Sequence, residues 1–507
     1  MNERIKQCTL ICAAGSIGAA VLLSGCQVGP KYHAPAPPVI TAPAYKESSA
    51  NFQDADGWKV ASPQDAMLRG KWWEIFQEPE LNSLEEQVNI NNQNIRQSFE
   101  SFMSTRAQIA EARSQYWPTV TANPSWGRAK SSGNLTNSTQ ANIGQSSSIW
   151  TFPLEVSWEP DFWGKIRSQV HEEQYAAQVS AADLENERLT EQASLAQFYF
   201  ELRGQDALQE ILNDTVDADQ KALALTETLY RSGVDDYISV VQAKSALASA
   251  KASAANLGVA RAQYEHAIAA LIGKPATDFT LPVRPSLAAP PPIPVGMPSQ
   301  LLERRPDIAA AERTLAEANA TIGIGYGAFY PSVTLAAQGG FESSSLQHAF
   351  DWPSRFWSIG PSASQTIFNG GLFKAELNQY TATYNGDIAA YRQTVLTAFQ
   401  QVEDYLAAVR IYAVQIKQQE QAVKSAQESL DLELIRYKTG VDPYIDVVTA
   451  QTTVLGDRQT LATVHVEQMT AAVQLVEALG GGWDVSQLLT PAQVSQKTSK
   501  ADYKMQR

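Results

Sequence analysis

The 507-residue sequence predicts an internally duplicated α+β membrane protein, each protomer carrying long coiled-coil-like helices and four β-strands. Three observations carry that expectation. One passage occurs twice: Tyr230, Gly233, Val234, Asp235, Tyr237 and Ile238 return as Tyr437, Gly440, Val441, Asp442, Tyr444 and Ile445, at one ungapped spacing (437 against 230). Proline-free stretches rich in Ala, Gln, Glu and Leu flank both copies of it. Between those stretches lie short segments in which apolar and polar residues alternate with period two, as in a strand with two unlike faces.

The chain begins with a short basic region, Arg4 and Lys6, followed by an apolar run from Thr9 to Leu23. That run suits a signal-peptide core better than a membrane span. It ends in Leu23-Ser24-Gly25-Cys26, which looks like a bacterial lipobox with Cys26 as the lipidation site. Residues 1–25 are therefore expected to be a lipoprotein signal peptide, and Gln27, in place of Asp, points to the outer membrane. The other two cysteines, Cys8 and Cys12, lie inside that peptide, so the mature chain must fold without a disulfide. Net charge is −14 and would repel a phosphate backbone, so nucleic acid is not an expected partner. Nowhere after the signal do 18 apolar residues run together, so a membrane crossing must be made by a β-barrel.

Residues 26–70 read as a lipidated, extended tether, with a Pro-rich run from Ala34 to Pro43. The first repeat spans 71–281. A connector at 282–298 holds seven prolines, including Pro290-Pro291-Pro292. The second repeat spans 299–483, and 484–507 form a tail. Gln115 to Thr121 (QYWPTVT) echoes Ala328 to Thr334 (AFYPSVT), which extends the duplication.

Helix is expected at Ile166–Arg231 and Tyr237–Ile272, and again at Leu372–Lys438 and Tyr444–Leu479. A helix of some 65 residues is about 98 Å long, too long for a globular core and suited to an extended array. Ala243, Ala246, Ala250 and Ala254 mark a close-packing seam. Strands are expected at about 116–127, 149–159, 330–341 and 356–366. The clearest is IWTFPLEVSWE, where Trp150, Phe152, Leu154, Val156 and Trp158 alternate with Thr151, Pro153, Glu155 and Ser157. Apolar and aromatic residues on one face with polar residues on the other is a barrel pattern. Four strands cannot close a barrel, so the chain must pool strands with copies of itself, unless helix covers a four-stranded soluble sheet.

Arg304-Arg305-Pro306-Asp307-Ile308, Ala318-Asn319-Ala320, Ile322-Gly323 and Phe329-Tyr330-Pro331-Ser332 resemble the signature of TolC-like outer-membrane efflux factors. Asp161-Phe162-Trp163-Gly164-Lys165-Ile166 and Phe368-Asn369-Gly370-Gly371 resemble that family's strand-to-helix passages, and the lipobox resembles its OprM/NodT lipoprotein branch. The resemblance implies a homotrimer with a twelve-stranded outer-membrane barrel on a periplasmic α-helical tunnel. It implies a periplasmic adaptor and an inner-membrane pump, of the resistance-nodulation-division class, as partners, with small molecules conducted passively. The Trp72–Ala112 region, the connector and the tail would form a belt. No cofactor or metal is expected beyond the covalent lipid (palmitate) on Cys26.

Particular residues follow from this reading. Pro118 and Pro331 end helices where strands begin, and Gly164, Gly370 and Gly371 turn the chain back into helix. Arg304 and Arg305 are read as structural, pairing with carboxylates. Gly233 and Gly440 end long helices; Asp235 and Asp442 suit an N-cap or first turn, and Pro443 suits N1. In a trimer each tip recurs three times, so Asp442, with Asp446, Asp236 and Tyr444, is expected to line the periplasmic aperture. Gly233, Val234, Asp235, Gly440 and Val441 are the expected adaptor-docking tips, and the Asp236/Pro443 difference implies two unlike grooves. An enzyme is disfavoured: five scattered His, and no HExxH, GxSxG or phosphate loop. Two alternatives stay open: a channel for type I protein secretion, and a structural envelope-spanning coiled-coil lipoprotein.

Overall fold

The computed structural model describes residues 27–38, 45–47, 70–130, 132, 146–294 and 301–496. The signal peptide and Cys26 lie outside the described residues. Each repeat runs helix, strands, very long helix, long helix. In the first, α1 (Pro79–Asn91) leads into α2 (Gln93–Ser114), then β1 (Thr119–Ala122), β2 (Ser125–Lys130) and β3 (Ser146–Trp158), then α3 (Lys165–Arg231) and α4 (Tyr237–Leu271). In the second, α5 (Pro306–Gly327) precedes β4 (Ser332–Ser343), β5 (Arg355–Ser364), α6 (Leu372–Lys438) and α7 (Tyr444–Ala478). The matching helices agree residue for residue: α3 and α6 have 67 residues each, α4 and α7 have 35, α2 and α5 have 22. At 1.5 Å per residue α3 and α6 are roughly 100 Å long.

This pairing corrects one expectation. Helix α2 covers most of the second half of the Trp72–Ala112 region expected to form a belt and ends two residues beyond it, but it is the counterpart of α5 and packs along α3 as part of the repeat. The 3-10 turn Trp72–Phe76 and helix α1 do lie against the middle of α3, where Trp72, Leu81, Leu195 and Tyr199 share one core. A buried charge network fastens the connector there. Arg203 Nη1 donates to Asp206 Oδ2 at 3.0 Å and to the Pro282 carbonyl at 2.7 Å, and Arg261 Nε donates to Asp206 Oδ1 at 2.7 Å. Buried ions are tolerated because each finds partners. The tail closes on the same region: Gln178 Nε2 donates to the Leu489 carbonyl at 2.7 Å, and Arg106 and Arg113 donate to tail carbonyls.

The sheet is antiparallel. Strands β1 and β2 lie in line along β3 and keep one register, Ala122 opposite Leu154 and Ser125 opposite Thr151. The break between them falls at Asn123-Pro124, where proline has no N–H for the ladder. Four strand positions therefore run β1/β2–β3–β4–β5, with two open edges. Strands begin and end within a few residues of the expected limits. Every residue of β1 and β2 and nearly every residue of β5 is exposed. That excludes the soluble sheet covered by helix. Trp357, 79 % exposed, and Val120, Trp126, Leu154 and Ile359 form a bare apolar face. Across the pleat run Thr121, Glu155, Gln338 and Ser358, register partners in one polar row.

Candidate functional site: the paired helix tips and the strand–helix passages

Both hairpin tips use the same backbone device. Gly233 and Gly440 each sit at φ 74°, a conformation that an L side chain resists. At the first tip Gly233 N–H donates to the Tyr230 carbonyl and Val234 N–H to the Leu229 carbonyl, both at 3.0 Å. At the second, Gly440 N–H donates to Tyr437 at 3.0 Å and Val441 N–H to Arg436 at 2.9 Å. This crossed pair satisfies the last carbonyls of α3 and α6. No heavy atom lies within 4 Å of a Cβ built at either glycine, so both tips face open space. Val234 and Val441, 67 % and 63 % exposed, present the apolar ends of the tips.

The acids differ from expectation. Asp236, not Asp235, caps α4: its Oδ1 accepts from Ile238 N–H at 2.9 Å and Ser239 N–H at 3.3 Å. Pro443 takes the corresponding N-cap place of α7, one residue earlier than the N1 position expected, and offers no side-chain acceptor. Asp235 instead accepts from Ser239 Oγ at 3.0 Å and from the Tyr437 hydroxyl of the other tip. Asp442 is no cap either. It pairs with Arg436, whose Nη2 donates to Oδ1 at 2.9 Å, and whose Nε donates to Oδ2. The Arg436 guanidinium holds the Asp442 carboxyl below the usual carboxylate range. Glu433 shifts the opposite way, raised by burial and by its bond to Asp442.

Tyr444 is also a correction. It is 1 % exposed, against 56 % for its counterpart Tyr237, and lines no surface of the protomer. It packs with Tyr437, Ala222, Ala243 and Val447, so the second tip is seated on the first hairpin. The Tyr437 and Tyr444 rings are 5.2 Å apart. Burial raises the Tyr444 hydroxyl to about 12. The alanine seam belongs to this contact, with Ala243 and Ala250 buried and Ala246 and Ala254 half-buried. Asp236 and Asp446 are exposed at the tips.

At the far end, Pro118 and Pro331 stand between helix and strand, as expected. Gly164 (φ 78°) and Gly371 (φ 90°) take the N-cap places of α3 and α6, with Gly370 at φ 65°. Two tryptophans, Trp158 of the alternating strand and Trp163 of the passage motif, fasten these passages by bonds that the sequence pattern does not show. Trp158 Nε1 donates to the Tyr116 carbonyl at 2.9 Å, and Trp163 Nε1 to the Pro331 carbonyl at 2.7 Å. Trp163 also stacks on Tyr330 at 4.9 Å. The first passage has a further occupant: a Cβ on Gly164 would lie 2.9 Å from Gln27 Cα, and Val28 N–H donates to the Trp163 carbonyl at 3.1 Å. The tether then passes Gly29 over Gly323. Arg305 closes the second repeat on itself, pairing with Asp307 at 2.7 Å and donating to the Ala478 carbonyl at 2.9 Å.

Among the described residues no cluster could hold a metal ion, and no helix is long and apolar enough to cross a membrane. The described residues place an open-edged sheet at one end of the long helices and two glycine turns at the other.

Comparison with known proteins agrees. The model of the outer membrane efflux protein family matches twice, at residues 84–274 and 297–481, once on each repeat. The chain is 30 % identical over 471 residues to the antibiotic efflux pump outer membrane protein ArpC of Pseudomonas putida, covering 92 % of this chain and 94 % of ArpC. It is 31 % identical over 472 residues to the toluene efflux pump outer membrane protein TtgI of P. putida, covering 92 % and 98 %. Among solved structures, the outer-membrane channel OprN superposes with a TM-score of 0.79 at 28 % identity, over 90 % of this chain and all of OprN. The open state of the Neisseria gonorrhoeae MtrE outer membrane channel gives 0.77 at 26 %, over 91 % and 99 %. The chain belongs to the outer membrane efflux protein family.

Proposed function

We propose that three copies of this chain form the outer-membrane duct of a tripartite efflux system. The duct passes small molecules from an inner-membrane pump, of the resistance-nodulation-division class, and its periplasmic adaptor to the cell exterior. The observation that carries the reading is the pair of open edges, β1/β2 and β5, on a sheet exposed on both faces and joined to helices roughly 100 Å long. Edges of this kind are removed by closure; three copies of four strands make twelve, with every pair antiparallel. The efflux names of ArpC and TtgI support the same reading.

The second tip is the aperture in this account. Three Asp442–Arg436 pairs surround the axis, with exposed Asp446 and Asp236 beside them, and rings of acid favour cations. The adaptor docks on Gly233, Val234, Gly440 and Val441. Because Asp236 and Pro443 differ, the two grooves differ. Cys26 carries the lipid. Its neighbours Gln27 and Val28 lie against the β3–α3 passage, at the membrane end of the helices, where an acyl chain reaches the periplasmic leaflet.

Deletion of the gene tests the reading. It is expected to sensitise cells to small toxic compounds, and the purified protein to run as a trimer that heating converts to monomer. Wild-type susceptibility in the deletion strain, or a monomer before heating, would contradict it. Crosslinking from a cysteine placed at Val441 identifies the adaptor.

A further inference from the structure

The lipid-facing side of the sheet carries three cations at the end away from the helices. Arg128 and Lys130 share the face of Val120 and Trp126, because each is two residues further along the same line. Arg355 opens β5 on the face of Trp357 and Ile359, and stands opposite Phe341. All three are exposed. Lysine and arginine on a lipid-facing barrel surface are costly, least so where headgroups begin. Beneath them lies an aromatic layer: Trp126 on Trp150 at 5.6 Å, and Phe152 with Phe341 and the loop residue Phe350.

Among the described residues, none of the three cations forms an ion pair with a carboxylate. Residues 119–154 contain Arg128 and Lys130 and no Asp or Glu, in a chain whose net charge is −14. Opposite them across the ladder stand Ser148 and Ser146. Asp351 in the other hairpin is taken up by His348 Nδ1 at 2.8 Å, and Glu342 points to the opposite face as the register partner of Thr151. Arg355 is held in place: its Nε donates to the Trp352 carbonyl at 2.9 Å while its guanidinium stacks on that indole.

Closure of the barrel then completes a site. In the trimer proposed above, on which this inference rests, the free edge of β5 faces β1/β2 of the adjacent copy, which brings Arg355 of one protomer to the same seam as Arg128 and Lys130 of the next. We propose that this inter-subunit cluster binds the phosphates of a phosphorylated glycolipid of the outer leaflet, one site at each of the three seams. Two guanidiniums and an ammonium match phosphate oxygens. The aromatic layer below receives the acyl chains. A lipid held there bridges two protomers and stabilises the trimer by mass action.

Delipidated trimer is heated with diphosphorylated lipid A, with the same glycolipid stripped of phosphate, or with phosphatidylglycerol, and dissociation is followed on a gel and bound lipid by native mass spectrometry. Diphosphorylated lipid A is expected to raise the dissociation temperature, and the other two are not. R128A/K130A/R355A is expected to bind it roughly tenfold more weakly, and R128K/K130R/R355K to retain binding. Equal protection by the dephosphorylated glycolipid or by phosphatidylglycerol overturns the proposal. So does undiminished binding by the alanine variant. The wild-type lipid series decides the matter even if that variant fails to assemble.

Discussion

At the first tip and at the second, a glycine with φ 74° ends a 67-residue helix and opens onto a 35-residue one. Around that shared backbone, besides the conservative pairs Arg231/Lys438 and Ser232/Thr439, three exchanges change charge or capping. Leu229 corresponds to Arg436, Asp236 to Pro443, and Ser239 to Asp446. Each exchange redirects, removes or adds an acid. With leucine at 229, in place of arginine, Asp235 accepts from Tyr437 of the other hairpin. With arginine at 436, Asp442 is drawn back onto its own helix. The environments diverge in step: Tyr237 faces solvent and Tyr444 is buried. Duplication thus supplied two identical turns, and a few side chains made one a seat and the other a charged rim.

Substitutions at matched positions break or sharpen this contrast. Tyr444→Ala opens a cavity in the inter-hairpin core and is expected to cost about 3–5 kcal/mol, by the large-to-small scale for buried aromatics. Tyr237→Ala is expected to stay within about 0.5 kcal/mol. Thermal dissociation of the trimer compares the two, and equal losses would dissolve the distinction. Gly233→Val and Gly440→Val force a branched side chain into the left-handed region, at about 1–2 kcal/mol or more each. Both are expected to abolish drug export in complemented cells while the trimer still assembles, and a functional Gly440→Val would contradict adaptor docking at the tips.

Smaller effects separate the caps. Asp236→Ala removes a cap with two N–H partners and is expected to cost about 1 kcal/mol, whereas Pro443→Ala removes no acceptor and is expected to be near neutral. Tyr437→Phe loses the hydroxyl bond to Asp235 across the tips, about 0.5–1.5 kcal/mol. The Asp442–Arg436 pair is expected to show the weakest coupling in a double-mutant cycle, because Arg436 is 54 % exposed and solvent screens the pair. Its pH dependence has a definite sign. The folded carboxyl titrates below its ordinary value of 3.8, so the pair's contribution is full above that pH and is lost as acidification passes the lowered value. Circular dichroism melts at pH 7 and pH 3 check this, with Asp442→Ala removing the difference that the pair supplies.

Much of this was legible from local pattern. Helix ends at Arg231 and Lys438, the strand alternation around Trp150 and the glycines at the turns depend on residues close in sequence. What was not legible depends on neighbours brought in by folding. Tyr237 and Tyr444 read alike in the sequence, but only Tyr444 meets Ala222 and Ala243 of the other hairpin. Asp442 looks like a cap until the turn places Arg436 beside it. The return of Gln27 to Gly164 spans well over a hundred residues and leaves no trace in periodicity, though the doubled glycines at 164 and 323 were available as signs of close approach. The strand break at Pro124 could have been read, since a proline there has no N–H to give.

If the second tip lines the aperture as proposed, its acids set the cation preference of the duct. Single-channel recording of Asp442→Ala and Arg436→Ala trimers in planar bilayers tests it most directly. The account predicts opposite shifts: Asp442→Ala lowers cation preference by deleting the acid ring, and Arg436→Ala raises it by unmasking that ring. Conductance and cation preference unchanged in both variants would contradict it.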